Sequence, residues 1–240
     1  MNLVLDFGNT RIKSAIFDGE KMLKSQTFET EQQCIESLET SNIKKCIIGS
    51  VTGNHADFYN LFSSKFDTLV FKASTPIPLK NLYKTALSLG SDRIAASVGA
   101  FRHFPDKNVL TIDAGTCIKY NFVNADNEYL GGAISPGLNM RLKAMHEFTH
   151  ALPLVKIDGN FSLLVGQTTQ DSILSGALTA SVCEVDGMIE RYLQAYRDLQ
   201  VVITGGDATY FEGQLKNRFF ASQNILLEGL NTILNFNIEN

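Results

Sequence analysis

The chain has 240 residues, 44% of them hydrophobic and 19% charged, with a formal net charge of −4. That length buries a proper core in one large domain or two small ones, and with no Lys/Arg run a nucleic-acid partner is not expected. Four scattered cysteines, Cys34, Cys46, Cys117 and Cys183, form no CxxC pair, which points away from a zinc ribbon or disulfide framework and towards reduced thiols in a cytoplasmic protein.

The first residues open directly on an apolar stretch, without the basic region of a signal peptide. No apolar run approaches the roughly 18 residues of a membrane span, so no membrane partner is expected. Leu3-Val4-Leu5 reads as a buried strand running into the turn Asp6-Phe7-Gly8-Asn9-Thr10. Strand character resumes over 12–17, Asp18-Gly19 is a hairpin signal, and 22–28 makes a third strand. Helical spacing over 31–38 precedes a β-rich run at 46–51, a helix over 56–66 and a strand over 68–71. Thr75-Pro76-Ile77-Pro78 is a rigid loop, and a helix over 93–103 stops before Pro105. Strands at 110–112, 117–123 and 129–134 then lead to a helix from Leu138 toward His146. A helical stretch over 170–196, interrupted by Gly176 and Gly187, precedes a buried strand at 201–203 and a weaker segment at 224–230. Strands separated by helices make this an α/β protein.

One pattern occurs twice. Leu110-Thr111-Ile112-Asp113-Ala114-Gly115-Thr116 echoes the opening strand and turn, and each copy is followed by an Ile-Lys pair, Ile12-Lys13 and Ile118-Lys119. The copies start nearly half a chain apart, which predicts a duplicated domain divided into 1–106 and 107–240. A carboxylate ending a strand suits hydrated Mg²⁺, and a glycine without Cβ lets backbone approach a phosphate. Asn9, Thr10 and the turn amides are donors for anionic oxygens, and Lys13 adds positive charge. A plain hairpin would use the same residues. Thr204-Gly205-Gly206-Asp207 adds a glycine pair after a buried strand, against which an adenine ring can lie. No GxxxxGK[ST] or GxGxxG loop is present.

Three glycine turns in this order resemble the acetate kinase, sugar kinase, Hsp70 and actin superfamily. Leu5-Asp6-Phe7-Gly8-Asn9-Thr10, Leu89-Gly90-Ser91-Asp92-Arg93, Ile112-Asp113-Ala114-Gly115-Thr116, Gly131-Gly132-Ala133-Ile134-Ser135-Pro136-Gly137 and Thr204-Gly205-Gly206 together resemble type III pantothenate kinases along the whole chain. The resemblance implies a two-lobed, actin-like (ribonuclease H-like) α/β fold of duplicated domains with a nucleotide cleft between them. It implies ATP-dependent phosphorylation of pantothenate, the first step of coenzyme A synthesis, with Mg²⁺ and a monovalent cation, K⁺ or NH₄⁺. It also implies a homodimer.

By position, the resemblance assigns Asp6, Phe7, Gly8, Asn9, Thr10, Arg11, Ile12 and Lys13 to the first phosphate loop and Thr116 to a second ATP contact. Tyr83, Gly90, Ser91, Asp92 and Arg93 line the implied pantothenate pocket, with Asp92 as general base and Arg93 as anchor of the substrate carboxylate. Asp113 is the implied monovalent-cation ligand, and Thr169 the implied residue reaching the pantothenate site of a partner subunit. The chemistry is sensible: a guanidinium pairs with a carboxylate, and an aspartate accepts the hydroxyl proton during phosphoryl transfer. The bland readings are an ordinary helix N-cap for Ser91 or Asp92, a half-buried surface tyrosine for Tyr83, and a turn-forming Asp113 paired with Lys119.

Three rivals remain at this point. His146-Glu147-Phe148-Thr149-His150 matches the H-E-x-x-H zincin pattern. Pro153 soon after it argues that the helix is ending, and Glu184 is the only downstream candidate for a third ligand. A regulatory or transcriptional accessory protein related to these kinases is the second rival, and a kinase for another small hydroxy-acid or sugar is the third.

Overall fold

A computed structural model describes residues 1–8, 11–38, 41–50, 56–159 and 161–239, the side chains of Ser50, Ala56 and Asp57 excepted. The chain divides into two compact units. The first comprises Met1–Asp106, Val123–Leu130 and Asn224–Asn240, and the second Lys107–Phe122 and Gly131–Gln223.

In the first unit, β1 (Asn2–Phe7), β2 (Ile12–Asp18) and β3 (Lys21–Phe28) form an antiparallel meander. A short helix, α1 (Glu31–Ser37), follows, started by Thr30, whose hydroxyl accepts the Gln33 amide at 3.2 Å. Then come β4 (Lys45–Ser50), α2 (Ala56–Ser63), β5 (Asp67–Val70), β6 (Lys80–Asn81) and α3 (Ser91–His103). The sheet order is β3-β2-β1-β4-β5, with β4 parallel to β1 and β5 parallel to β4. β1 sits at the centre and is buried on both faces, which explains its unbroken apolar run. Leu3, Leu5 and Phe7 meet Phe58 and Phe62 of α2 on one side. Val4 and Ile47 meet Ile94 and Val98 of α3, and Leu227, Leu230 and Leu234 of the C-terminal helix, on the other.

That C-terminal helix, Ile225–Glu239, extends well beyond the weak segment expected at 224–230. Its asparagines lower helix propensity, but tertiary hydrogen bonds compensate. Asn2 donates to Asn231 at 2.9 Å and to Asn235 at 2.8 Å, and Asn231 donates to the Gly19 carbonyl at 2.9 Å. The helix crosses α3 at a glycine pair. A Cβ at Gly229 would lie 1.8 Å from the Ala95 carbonyl oxygen, and one at Gly99 would lie 2.0 Å from that of Ile225. This packing returns 224–240 to the first unit, so a single cut between 106 and 107 does not describe the division.

In the second unit, β7 (Val109–Ala114), β8 (Cys117–Val123) and β9 (Glu128–Pro136) precede α4 (Leu138–Glu147). Next are α5 (Thr169–Leu174), a π-helical segment (Ser175–Thr179) and α6 (Ala180–Ala195), one continuous helix. Gly176 falls in the π segment and Gly187 causes no break, although both were expected to interrupt the helix. β10 (Gln200–Thr204), α7 (Ala208–Phe211) and β11 (Phe220–Ala221) complete the unit. The strand order β11-β10-β7-β8-β9 repeats that of the first unit, with β7 in the place of β1. Asp6 and Asp113, the carboxylates of the repeated sequence pattern, therefore stand near the ends of topologically equivalent central strands. The tip of the β8–β9 hairpin counts with the first unit, where β6 pairs in parallel with Glu128 and Tyr129.

The helix Thr169–Ala195 is long and apolar enough to cross a bilayer by length and composition alone. Its Ile173, Leu174, Ala177, Leu178, Val185 and Ile189 are instead packed in the second unit's core.

Candidate active site

In the first unit, Asp6 is 8% exposed near the end of β1, and its backbone stands opposite Lys13 on β2 and Gly49 on β4. The Gly8 amide donates to the Arg11 carbonyl at 3.1 Å, closing a tight turn. Asn9 and Thr10, both expected phosphate contacts, lie outside the described residues. Phe7 and Ile12 point into the core, Phe7 edge-on to Phe58 at 4.8 Å, so these two can offer a ligand only backbone groups. Arg11 is exposed and Lys13 half-buried.

The Gly90-Ser91-Asp92-Arg93 motif opens α3. Gly90, not Ser91 or Asp92, is the N-cap, and no side chain caps that end. Asp92 lies in the first turn, half-buried, its Oδ1 accepting the Arg93 amide at 2.9 Å. The Arg93 side chain is 6% exposed, and its guanidinium carbon lies 5.6 Å from the centroid of the Tyr83 ring. That separation is a cation–π contact. Tyr83 is tilted against Tyr129, with 6.2 Å between ring centroids. The structure thus brings Tyr83 together with Arg93, residues ten apart in sequence, at the half-buried start of a helix. A helix N-terminus favours negative charge, which suits both the Asp92 carboxylate and an anionic substrate.

In the second unit, three motifs separated in sequence converge on one turn. The Gly115 amide donates to Cys117, the Gly137 amide to Thr116 at 3.1 Å, and the Asp207 amide to Ala114 at 2.9 Å. Both Gly137 and Gly205 pack against backbone here. A Cβ at Gly205 (φ +101°) would meet the Ala114 oxygen at 2.1 Å, and one at Gly137 would meet the Gly115 oxygen at 2.1 Å. Thr116 is exposed at the tip of this turn, available to a ligand.

At Asp113 the structure shows the ion pair with Lys119 that the blander sequence reading offered. Lys119 Nζ donates to Asp113 Oδ2 at 2.7 Å, and the two side chains are only 18% and 15% exposed. Burial pushes the Asp207 carboxyl above its ordinary range, and the charge of Asp113 adds to that. No group of three His, Cys, Asp or Glu residues suited to a metal occurs among the described residues. A monovalent cation at Asp113 fits these residues poorly, because the Lys119 ammonium already supplies a positive charge at Oδ2. Asp6 does fit Mg²⁺, which needs one or two carboxylates and keeps waters and substrate phosphates as its other ligands.

Sequence reasoning missed a polar cluster behind the Ser135-Pro136-Gly137 motif. Glu184 of α6 accepts from Ser135 at 2.6 Å and Tyr120 at 3.1 Å and pairs with Arg141 of α4. Arg141 also donates to the Pro136 carbonyl at 2.9 Å. Burial works to raise the Glu184 carboxyl, but hydrogen bonds from Ser135 and Arg141, with the Arg141 charge, hold it below the usual carboxylate range. Glu184 is therefore a brace for the motif and not a metal ligand in reserve. The H-E-x-x-H pattern is broken by the end of α4 at Glu147, which leaves His150 beyond the helix, and His146 Nδ1 lies 2.8 Å from the Leu152 carbonyl oxygen. Thr169 is exposed in the first turn of α5, beside its N-cap Thr168, whose hydroxyl accepts the Asp171 amide at 3.0 Å.

Comparison with known proteins agrees along the whole chain. Residues 2–191 match the family model for type III pantothenate kinase. A type III pantothenate kinase of Christiangramia forsetii is 44% identical over 242 residues, covering 99% of each chain. One from Bacteroides fragilis is 41% identical, covering 99% of this chain and 98% of its own. Among solved structures, a protein described as a Baf family transcriptional activator from Campylobacter jejuni superposes with a TM-score of 0.61 at 21% identity, over 99% of this chain and 100% of that one. A ROK hexokinase from Thermus thermophilus gives 0.51 at 16%, over 96% and 97%. At such identities these two speak for the fold alone, a duplicated actin-like α/β fold. With matching sequence from end to end and the family's motifs gathered at two strand-end turns and one helix start, the chain belongs to the type III pantothenate kinase family.

Proposed function

We propose that this chain transfers the γ-phosphoryl group of ATP to the primary hydroxyl of pantothenate, giving ADP and 4′-phosphopantothenate for coenzyme A synthesis. The observation that carries the reading is the start of α3, where Asp92, Arg93 and Tyr83 stand together. Arg93 binds the substrate carboxylate through its planar fork, with the Tyr83 ring in cation–π contact with the guanidinium. Asp92 accepts the hydroxyl proton as the phosphoryl group departs. A carboxylate is a weak base, so its contribution is mainly position. The Arg93 amide, donating to Asp92 Oδ1 at 2.9 Å, fixes the carboxylate at the helix start.

The turns following β1 and β7 supply backbone amides, and Thr116 a hydroxyl, to the phosphates of ATP. When bound, Mg²⁺ at Asp6 offsets phosphate charge and orients the γ-phosphoryl group. The Gly205-Gly206 turn, with its backbone bare, receives the adenosine. A homodimer accords with the exposed Leu163, Leu164 and Val165, which precede Thr169 and offer an apolar surface to a second copy. Four free cysteines accord with a cytoplasmic enzyme. The regulatory alternative is not favoured, because curated relatives 38–44% identical over the full length are named as kinases.

Asp92→Asn tests the reading. The amide keeps the shape and the oxygen facing the Arg93 amide but accepts no proton. Turnover of pantothenate should fall by about 10²-fold or more with ATP affinity and melting temperature retained. Near-normal turnover would remove Asp92 from the mechanism.

A further inference from the structure

Lys119 stands where a bound cation is expected, and its geometry suggests why. β7 and β8 are neighbouring strands joined by the two-residue turn Gly115-Thr116, so Lys119 on β8 lies alongside Asp113 on β7. The ammonium reaches Asp113 Oδ2 at 2.7 Å with both side chains more than four-fifths buried. At that distance and burial, Coulomb attraction is far less screened than at a surface. A second carboxylate is close: the charge of Asp113 is felt by Asp207, whose own amide is tied to Ala114 of the same turn. Without Lys119 the turn would present two carboxylates to an anionic nucleotide. One cation is needed there, and a lysine tethered on the adjacent strand supplies it without having to capture a dissolved ion.

We propose that the Lys119 ammonium replaces the bound monovalent cation at the Asp113 turn, so that the reaction needs neither K⁺ nor NH₄⁺. The proposal rests on the kinase reading above and revises the sequence expectation of a cation held by Asp113.

The test compares wild type with Lys119→Ala at equal ionic strength in KCl, NH₄Cl, NaCl and Tris chloride. Two quantities are measured: ADP release with pantothenate, and melting temperature without substrate. Wild-type rates should agree within about twofold across the salts, because the compensating charge is covalent. Lys119→Ala should lose about tenfold or more in NaCl and Tris, as expected for a partly buried carboxylate left uncompensated. It should recover in KCl or NH₄Cl, and those salts should raise its melting temperature but not that of wild type. A wild type activated severalfold by K⁺ or NH₄⁺ overturns the proposal. So does a Lys119→Ala protein fully active in Tris, or one inactive in every salt and not stabilised by K⁺. If wild type releases no ADP with pantothenate in any salt, the substrate reading fails, while the melting comparison still decides whether Lys119 stands in for a cation.

Discussion

The crossing of α3 and the C-terminal helix gives a prediction in which two physical effects have opposite signs. Gly229→Ala, in a helix interior, should gain about 1 kcal/mol from helix propensity alone. The structure forbids that gain. The added Cβ would sit 1.8 Å from the Ala95 oxygen, 2.7 Å from its carbon and 2.8 Å from the Gly99 nitrogen, where ordinary contact begins near 3.4 Å. These are backbone atoms of another helix and have no rotamer to change, so the helices must move apart and loosen Leu227, Leu230 and Ile233 in the core. Overpacking costs about 1–3 kcal/mol and at times more, and a contact of 1.8 Å with backbone belongs at the upper end, so after the gain of about 1 kcal/mol a net loss of roughly 2 kcal/mol is expected. At about 2–4 °C per kcal/mol for a chain of this size, the melting temperature should drop by roughly 4–8 °C. Gly187→Ala in α6 is the matched control, because nothing lies within 4 Å of its added Cβ. It should stabilise by about 0.5–1 kcal/mol. Thermal unfolding followed by circular dichroism reads both. A Gly229→Ala protein as stable as the Gly187→Ala control would refute the close crossing.

Arg93→Lys keeps the charge but loses the planar fork over Tyr83. It should raise the KM for pantothenate about tenfold with the KM for ATP unchanged, and an unchanged pantothenate KM would remove Arg93 from carboxylate binding. Glu184→Gln should lower stability at neutral pH by about 1 kcal/mol, a figure kept small because the side chain is 30% exposed. Its folded carboxyl lies below the ordinary value, so the stabilisation is present above the unfolded pKa of about 4.5 and is lost as pH falls through the folded one. The difference in melting temperature between wild type and variant should therefore close on acidification from pH ~7 to below ~4; a constant difference would contradict the assignment.

Much of this architecture was legible because its signals are local. The apolar runs ending in Asp6 and Asp113 became equivalent central strands in two sheets of the same order, and the duplication was visible in the repeated Ile-Lys pairs. What was not legible depended on tertiary partners. The C-terminal helix was expected only as a weak segment over 224–230; beyond it Asn231 and Asn235 lower helix propensity, and Asn2 and Gly19, far away in sequence, supply hydrogen bonds to them. The brace from Glu184 to Ser135 spans 49 positions and has no periodicity to reveal it. Asp113 read as a cation ligand by resemblance, yet six residues on, Lys119 was already in view as its possible partner. Distance and burial, which a sequence does not carry, show the ion pair with Lys119. Tyr83 entered by resemblance alone, and its contact with the Arg93 guanidinium is a tertiary fact that no local pattern carries.

The central claim, that this chain phosphorylates pantothenate, is tested most directly by coupled ADP release from Mg-ATP with pantothenate, glucose and an N-acetylated hexosamine offered separately, the products being identified by ³¹P NMR. The account predicts ADP release with pantothenate alone, matched mole for mole by a phosphate monoester on its primary hydroxyl. Background ADP with pantothenate and rapid release with either sugar would contradict it.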